Sequence, residues 1–139
     1  MALSEAEVNE LLSGAHVAIL GTVDRRGRPH QVPIWYGWKD GAAVMLTDRG
    51  SQKWVNLQAS AHASICIDTK TPPYRGAILR GEVEAVEASG DDYRALLREF
   101  AIHYLGEEAG NKYADSSTTG DPSDSVVMRL KPTRTISWG

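Results

Sequence analysis

The chain has 139 residues, with 15 Lys and Arg against 18 Asp and Glu, and therefore a net charge of −3. This length is typical of one domain, and 42% hydrophobic with 24% charged residues indicates a globular protein rather than a disordered one. The slight acidity favours neither nucleic acid nor an anionic membrane as a partner. A single cysteine, Cys66, excludes an internal disulfide. We expect residues 1–139 to form one domain.

The sequence also bears on location. No apolar run approaches about 18 residues, and the first five residues do not have the pattern of a signal peptide. We therefore expect a cytoplasmic protein. Four Trp and five Tyr against one Phe are unusual in so short a chain.

The first half of the chain predicts a helix followed by an antiparallel meander. Ser4 and Glu7 match a capping box, and Gly14 ends the helix. Helical spacing predicts a second helix over residues 51–60. Strand-forming runs bounded by turn signals cover residues 16–23, 30–38, 43–47 and 63–68.

The second half predicts two longer strands and the strongest helix. Residues 69–74 contain adjacent prolines and predict a loop, whereas residues 75–87 predict a strand with a bulge or a close backbone approach at Gly81. Apolar spacing predicts a helix over residues 91–104. The polar segment 114–125 predicts a mobile loop, and residues 125–138 predict a last strand that is an edge or is bulged at Pro132. Six short strands with peripheral helices indicate a small antiparallel barrel.

The passage from the third strand into the second helix has the chemistry of an anion site. A helix N-terminus offers unpaired N–H groups and a positive dipole. The hydroxyls of Thr47 and Ser51 and the cations of Arg49 and Lys53 add charge-assisted donors. The alternative is a solvated turn in which Ser51 is the helix N-cap.

Three further segments are candidates. Residues 33–36 place Trp35 and Tyr36 where they could line a planar ligand or could be core aromatics. The Pro-Pro loop delivers Arg75 to a strand start, either as the rim of a site or as a rigid turn. Near the chain end, Trp138 must cover core, dock on a partner or meet a ligand, and Arg134 lies close to it.

Other chemistries are poorly supported. The four histidines lack the spacing of a metal site with carboxylates, so no metal is expected. No serine lies in the sequence context of a hydrolase nucleophile.

The order of these features resembles a known family. The resemblance rests on Gly27-Arg28-Pro29, residues 32–36 (VPIWY), Thr47-x-x-Gly50-Ser51-x-Lys53, Tyr74-Arg75 with Leu79-Arg80-Gly81, and Pro132-Thr133-Arg134-x-x-x-Trp138. Together they resemble the pyridoxamine 5′-phosphate oxidase-like split-barrel family, and within it the short flavin- or deazaflavin-dependent oxidoreductases. The resemblance covers nearly the whole chain.

The resemblance implies a six-stranded antiparallel split barrel, mainly β, that forms a homodimer with cofactor sites at the subunit interface. It places the cofactor phosphate on Thr47, Ser51 and Lys53, with Arg49 as a plausible addition. The cofactor-binding residues that it implies are Val32, Pro33, Ile34, Trp35, Tyr36, Thr47, Arg49, Ser51, Lys53 and Arg75, with Arg134 and Trp138 reaching the site from the partner subunit.

Two positions depart from the pattern of a true pyridoxamine phosphate oxidase, because Gln52 and Gly37 stand where that enzyme has basic residues. The resemblance therefore implies an oxidoreductase with the deazaflavin coenzyme F-420 or FMN, acting on a small organic substrate. The polyanionic tail of F-420 needs a basic groove, for which Lys39, Lys70 and Arg75 are candidates. The alternative is a non-catalytic carrier or sensor of flavin, deazaflavin or haem.

Overall fold

A computed structural model describes residues 1–117 and 122–139 of the chain. Its strands are β1 (Ala18–Val23), β2 (Pro29–Ile34), β3 (Tyr36–Lys39), β4 (Ala42–Asp48), β5 (His62–Asp68), β6 (Gly76–Val86) and β7 (Ser125–Trp138). Its helices are α1 (Glu5–Ser13), α2 (Gln52–Ala59), α3 (Gly90–Leu105) and α4 (Glu107–Ser116), with a 3-10 turn at Pro122–Asp124.

The strands form one antiparallel sheet in the order β2-β1-β5-β6-β7-β4-β3. Its two edge strands, β2 and β3, are consecutive in the chain and are separated only by Trp35. The edges of the sheet therefore meet at that residue, and the sheet curls into a barrel. The mainly β split barrel expected from the sequence is confirmed. Seven strands replace the expected six because the strand predicted over residues 30–38 is divided at Trp35.

The barrel is open between β2 and the end of β4. The pairing of β3 with β4 begins at Tyr36 opposite Met45, so the last three residues of β4 pair with β7 only. Within the described residues, β2 pairs with β1 only. The unpaired side of β2 and the unpaired end of β4 consequently border one opening.

Apolar side chains that alternate with exposed ones fill the barrel. Leu20, Met45, Ile65, Leu79 and Met128 are all fully buried inside it, as the two-residue period of strands requires. The apolar face of α1 closes one end of this core with Leu11 and Leu12.

A smaller apolar cluster lies outside the barrel. Phe100 of α3 packs on Val44 of β4 and Val127 of β7. Helix α3 thus covers the outer face of the sheet at the β4 side, and α4 packs against α3.

The longest strand, β7, contains the predicted irregularity. Its register with β6 shifts between Arg80 and Gly81, where Gly81 faces Pro132. A Cβ at Gly81 would lie 2.6 Å from the Lys131 carbonyl oxygen, so only glycine fits there. Pro132 lies beyond the last β4 partner, Leu130, and its missing N–H costs no ladder bond on that side. Both bulge predictions are confirmed.

One sequence prediction was wrong over part of its length. Helix α4 extends to Ser116 and the 3-10 turn begins at Pro122, so the loop predicted over residues 114–125 is shorter than expected. Residues 118–121 of that prediction lie outside the described residues. None of the helices in the described ranges is long and apolar enough to cross a membrane.

Candidate functional site

The predicted anion site lies at the opening of the barrel. Thr47 is 6% exposed near the end of β4, and its Oγ1 lies 2.8 Å from the Oγ of Ser51. The Ser51 hydroxyl lies 2.9 Å from the Asp48 carbonyl oxygen and accepts the Trp54 N–H at 3.3 Å. Ser51 is therefore the N-cap of α2, as the alternative interpretation of this segment predicted. The two hydroxyls bring the end of β4 and the start of α2 together.

Donors remain at this helix start after the cap is made. The backbone N–H groups of Gln52 and Lys53 have no acceptor among the described residues. Lys53 is partly buried, and its ammonium makes no ion pair with a described residue. The first turn of α2 contains no acidic residue. This donor set fits a phosphate group, because it combines free N–H groups with an uncompensated positive charge.

Arg49 has a different environment. Its backbone N–H donates to the Asp124 carbonyl oxygen at 2.8 Å, and its Nε donates to the Ser123 carbonyl oxygen at 2.8 Å. Its side chain also lines a cavity of about 360 Å³ that is bordered by Tyr93 of α3. Arg49 thus fixes the turn that leads into β7.

The strand segment 32–36 borders the same opening, with its side chains alternating. Val32 and Ile34 pack against the barrel core, whereas Pro33 is exposed on the outside. Tyr36 is 1% exposed, and its hydroxyl donates to the Leu12 carbonyl oxygen at 2.6 Å. Burial raises the pKa of Tyr36 far above its usual range. The side chain of Tyr36 is therefore a core group, and the backbone of this segment is what faces the opening.

Trp35 packs on the helices. Its ring stacks on Tyr104 of α3 at a centroid distance of 5.1 Å and an angle of 9°, and it lies 5.3 Å from the ring of Tyr113 of α4. The Tyr104 hydroxyl donates to the His16 carbonyl oxygen at 2.9 Å and accepts the Tyr36 N–H at 3.3 Å. Tyr104 thereby supplies partners at the point where β2 becomes β3.

Arg75 and Trp138 lie together at the far end of β7. Gly76 pairs with Trp138, and a Cβ at Gly76 would lie 2.1 Å from the indole, so the ring covers this glycine. Arg75 lies 3.7 Å from the carboxylate of Glu7 in α1. Trp138 remains 36% exposed. Arg134, further back on β7, is exposed and borders a cavity of about 650 Å³ beside α1.

The anion-site residues and the pair of Arg75 and Trp138 lie near opposite ends of β7. Thr47 is opposite Val126, near the start of β7, and Gly76 is opposite Trp138 at its end. The 12 intervening steps correspond to as much as about 40 Å of extended strand. One chain therefore does not bring the anion-site residues together with Arg75 and Trp138.

The basic residues expected to form a groove are paired within the chain. Lys39 lies 2.7 Å from Glu99, Lys70 lies 2.8 Å from Asp68, and Arg75 pairs with Glu7. Lys39 lies on β3, Lys70 lies in the loop after β5, and Arg75 lies directly before β6. Each of these three cations thus has an acidic partner within the chain, and the basic groove stays a prediction.

Sequence reasoning missed the group that holds α2 on the barrel. Asn56 is 2% exposed, donates to the Thr22 hydroxyl at 3.0 Å and accepts from the Gln52 amide at 2.7 Å. The available signal was an amide side chain at residue 56, next to Leu57 within the helix predicted over residues 51–60. The described residues contain no group of three or more His, Cys, Asp or Glu side chains that could hold a metal ion.

Comparison with known proteins decides the family. The family model described as pyridoxamine 5′-phosphate oxidase matches residues 4–139, which is almost the entire chain. The chain belongs to the pyridoxamine 5′-phosphate oxidase family. No curated protein sequence matches it.

Several solved structures share the fold of this family member. An F420 reductase is 22% identical with a TM-score of 0.76, over 92% of this chain and 94% of that one. A FAD-binding protein from Mesorhizobium loti is 20% identical with a TM-score of 0.71, over 99% and 95%. A haem storage protein from Vibrio cholerae is 17% identical with a TM-score of 0.67, over 99% and 94%. At these identities the likeness shows the split-barrel fold, and proteins that share one fold can bind different ligands.

Proposed function

We propose that this family member is an oxidoreductase that binds a flavin-type cofactor, coenzyme F-420 or FMN, and transfers hydride to or from a small organic substrate. The observation that carries the proposal is the donor set at the start of α2, which borders the opening of the barrel. The family includes oxidoreductases, and the similar structures include an F420 reductase and a FAD-binding protein.

Each part of the anion site has a distinct task in this proposal. The N–H groups of Gln52 and Lys53 and the Lys53 ammonium hold the phosphate, and the Thr47 and Ser51 hydroxyls fix the helix start against β4. The backbone of residues 32–34 borders the cofactor ring. A bound flavin or deazaflavin supplies the hydride chemistry, while the protein binds and orients it.

The distance between the two ends of β7 leads us to propose a homodimer. Trp138 and Arg134 of one subunit would then complete the site that begins at Lys53 of the other. The outer sheet face offers a surface for this contact, because the register aligns one apolar side chain per strand. These are Pro33, Ile19, Cys66, Ile78 and Ile136, on β2, β1, β5, β6 and β7. Four of the five are only partly buried in the single chain, and such a row fits a second copy of the same face.

A substitution at Lys53 tests the phosphate assignment. We expect Lys53→Ala to weaken cofactor binding by about 1–3 kcal/mol, the range for a lost charge-assisted hydrogen bond. Absorbance titration with FMN and with F-420 measures this. Lys112→Ala, which removes an exposed lysine from α4, is the matched control and should bind as the parent does. Parent-like affinity of the Lys53 variant for both cofactors would refute the assignment.

Mixing two inactive variants tests the composite site. If Lys53 and Arg134 act on one cofactor from different subunits, Lys53→Ala and Arg134→Ala each lose tight binding. Their mixed dimers contain one intact and one doubly altered site, so random exchange restores about a quarter of the sites. No recovery after subunit exchange, in a preparation shown to be dimeric, would place both residues in the same subunit's site.

The carrier or sensor alternative has its own supporting observation. Residues 46–57 contain no histidine or cysteine, and the Asp48 carboxylate already accepts the Gly50 N–H at 3.1 Å. Apart from Lys53, which the proposal assigns to the phosphate, this segment therefore offers no free acidic side chain as a proton donor for chemistry. Turnover with reduced cofactor and a panel of enone, quinone and tetrapyrrole acceptors separates the alternatives, because a carrier binds its ligand and gives no turnover.

A further inference from the structure

The turn at residues 48–51, between β4 and α2, is attached to the segment before β7 by Arg49. The backbone N–H of Arg49 donates to the Asp124 carbonyl oxygen at 2.8 Å, and its Nε donates to the Ser123 carbonyl oxygen at 2.8 Å. These two bonds come directly after Asp48, the last β4 residue in the ladder with β7. Arg49 therefore continues the attachment of the chain to this segment where the ladder itself ends.

The same turn leads into the donors at the start of α2. The Asp48 carbonyl oxygen accepts the Ser51 N–H at 3.2 Å, and the Asp48 carboxylate accepts the Gly50 N–H at 3.1 Å. The N–H groups of Gln52 and Lys53, which have no acceptor among the described residues, follow Ser51 directly. Their position at the opening of the barrel consequently depends on where the turn is attached.

The Arg49 side chain lies on the α3 side of the sheet. It lines the cavity of about 360 Å³ together with Tyr93 of α3 and with Val127, which belongs to the apolar cluster under that helix. Thr47, whose hydroxyl is part of the anion site, instead pairs with Val126 of the barrel core. The guanidinium of Arg49 and the hydroxyl of Thr47 thus belong to opposite faces of the sheet.

We propose that Arg49 positions the phosphate donors of Gln52 and Lys53 by holding the turn, without contacting the phosphate itself. Arg49 makes no ion pair with a described residue, and its acceptors there are neutral carbonyl oxygens. Its contribution depends on the direction of the Nε–H bond, which a lysine does not reproduce, rather than on its positive charge. This inference rests on the proposed function, in which the charge of Lys53 acts on the phosphate directly.

Two substitutions separate the geometry of Arg49 from its charge. Arg49→Lys keeps the charge and loses the guanidinium, whereas Arg49→Gln loses both. Affinity is measured for FMN against riboflavin, and for F-420 against the corresponding deazaflavin without phosphate. We expect both variants to bind the phosphate-bearing cofactor about fivefold less tightly and the phosphate-free form within about twofold of the parent. Arg26→Lys and Arg26→Gln, at an exposed arginine between β1 and β2, are the matched controls and should bind as the parent does.

Two results of this titration would overturn the inference. Parent-like binding of the phosphate-bearing cofactor by Arg49→Lys would show that the guanidinium geometry is not needed. Equal weakening of the phosphate-bearing and phosphate-free forms would show a general structural loss rather than a displacement of the phosphate donors.

Hydrogen exchange tests the turn without a cofactor. In Arg49→Lys, the amides of Gly50, Ser51 and Trp54, which bond within the turn and the cap, should exchange several-fold faster than in the parent. The amide of Ile65, which is fully buried in the barrel, should be unchanged and reports that the fold is intact. Parent-like exchange at the three turn amides would refute the positioning role. Failure of every flavin-type cofactor to bind the parent would refute the proposed function, and the exchange result would then decide whether Arg49 holds the turn.

Discussion

The two ends of β7 each lie near a helix that begins with a serine cap, but they differ in charge and covering. At the start of β7, α2 has no acid in its first turn, and Lys53 has no described ionic partner. At the end of β7, α1 has Glu5 and Glu7 in its first turn, and Glu7 lies beside Arg75. The same serine cap therefore begins a helix with an uncompensated positive charge at one end of β7 and a helix with the chain's own carboxylates in its first turn at the other.

The ends also differ in what they present to another molecule. The α2 end offers backbone N–H groups and a positive charge, whereas the α1 end offers the half-exposed indole of Trp138 and the guanidinium of Arg134. The two ends are therefore complementary rather than equivalent. In the proposed homodimer, a complete site would combine one of each.

The largest expected effect comes from filling the space under Trp138. Gly76→Ala places a Cβ 2.1 Å from the indole and must displace it or the strand, at a cost of about 3 kcal/mol in the free energy of unfolding. Gly50→Ala is the control at the other end, where the nearest atom to the new Cβ is 3.5 Å away and φ is not positive. Urea denaturation of both variants measures the difference. Equal stability of the two would show that Trp138 is not fixed over Gly76.

A smaller effect is expected from the buried amide at the α2 end. Asn56→Ala removes the hydrogen bonds to Thr22 and Gln52 and should cost about 2 kcal/mol. Gln58→Ala, on the exposed side of the same helix, should change stability little. Because α2 positions Lys53, the Asn56 variant should also bind the cofactor less tightly. A loss of stability without any loss of binding would separate the helix anchor from the site.

The smallest effect concerns pH and distinguishes the two helix caps. In α1, hydrogen bonds from the Ser4 backbone and side chain, and the nearby charge of Arg75, hold the pKa of Glu7 below its usual 4.5. Since the folded pKa is lowered, the stabilisation is complete above about pH 4.5 and is lost as the pH falls through the lowered value. The cap of α2 is a serine hydroxyl without a titrating partner at its N3 position, Trp54.

Hydrogen exchange measures this difference. After correction for intrinsic rates, amides of α1 should lose protection between pH 5 and pH 3 relative to those of α2. Glu7→Gln should remove the difference. Equal acid sensitivity of both helices would show that the capping box of α1 does not contribute.

Local patterns predicted most of the fold because its elements are bounded by local signals. Ser4 with Glu7, the turn glycines, and the apolar spacing of α3 all act within a few residues of the chain. The bulge at Gly81 and Pro132 was predictable for the same reason, since a proline and a glycine restrict the ladder wherever they lie.

Non-local contacts account for what could not be predicted. The break at Trp35 arises because the chain stops pairing with β1 and begins to pair with β4. The Tyr36 N–H at this break donates to the hydroxyl of Tyr104, which lies 68 residues further along the chain. Likewise, Lys39 is neutralised by Glu99 from α3, and no pattern around Lys39 reveals it. For the candidate site, the sequence proposed the residues but did not indicate their distribution over the two ends of β7.

The division of one strand at Trp35 has a mechanical consequence. The chain itself, rather than a ladder of hydrogen bonds, joins the two edge strands of this barrel at Trp35. Backbone rotation at this one residue therefore sets the width of the opening. The rings of Tyr104 in α3 and Tyr113 in α4 pack against Trp35. Substitutions in these two helices, remote from Lys53, would therefore change the width of the opening.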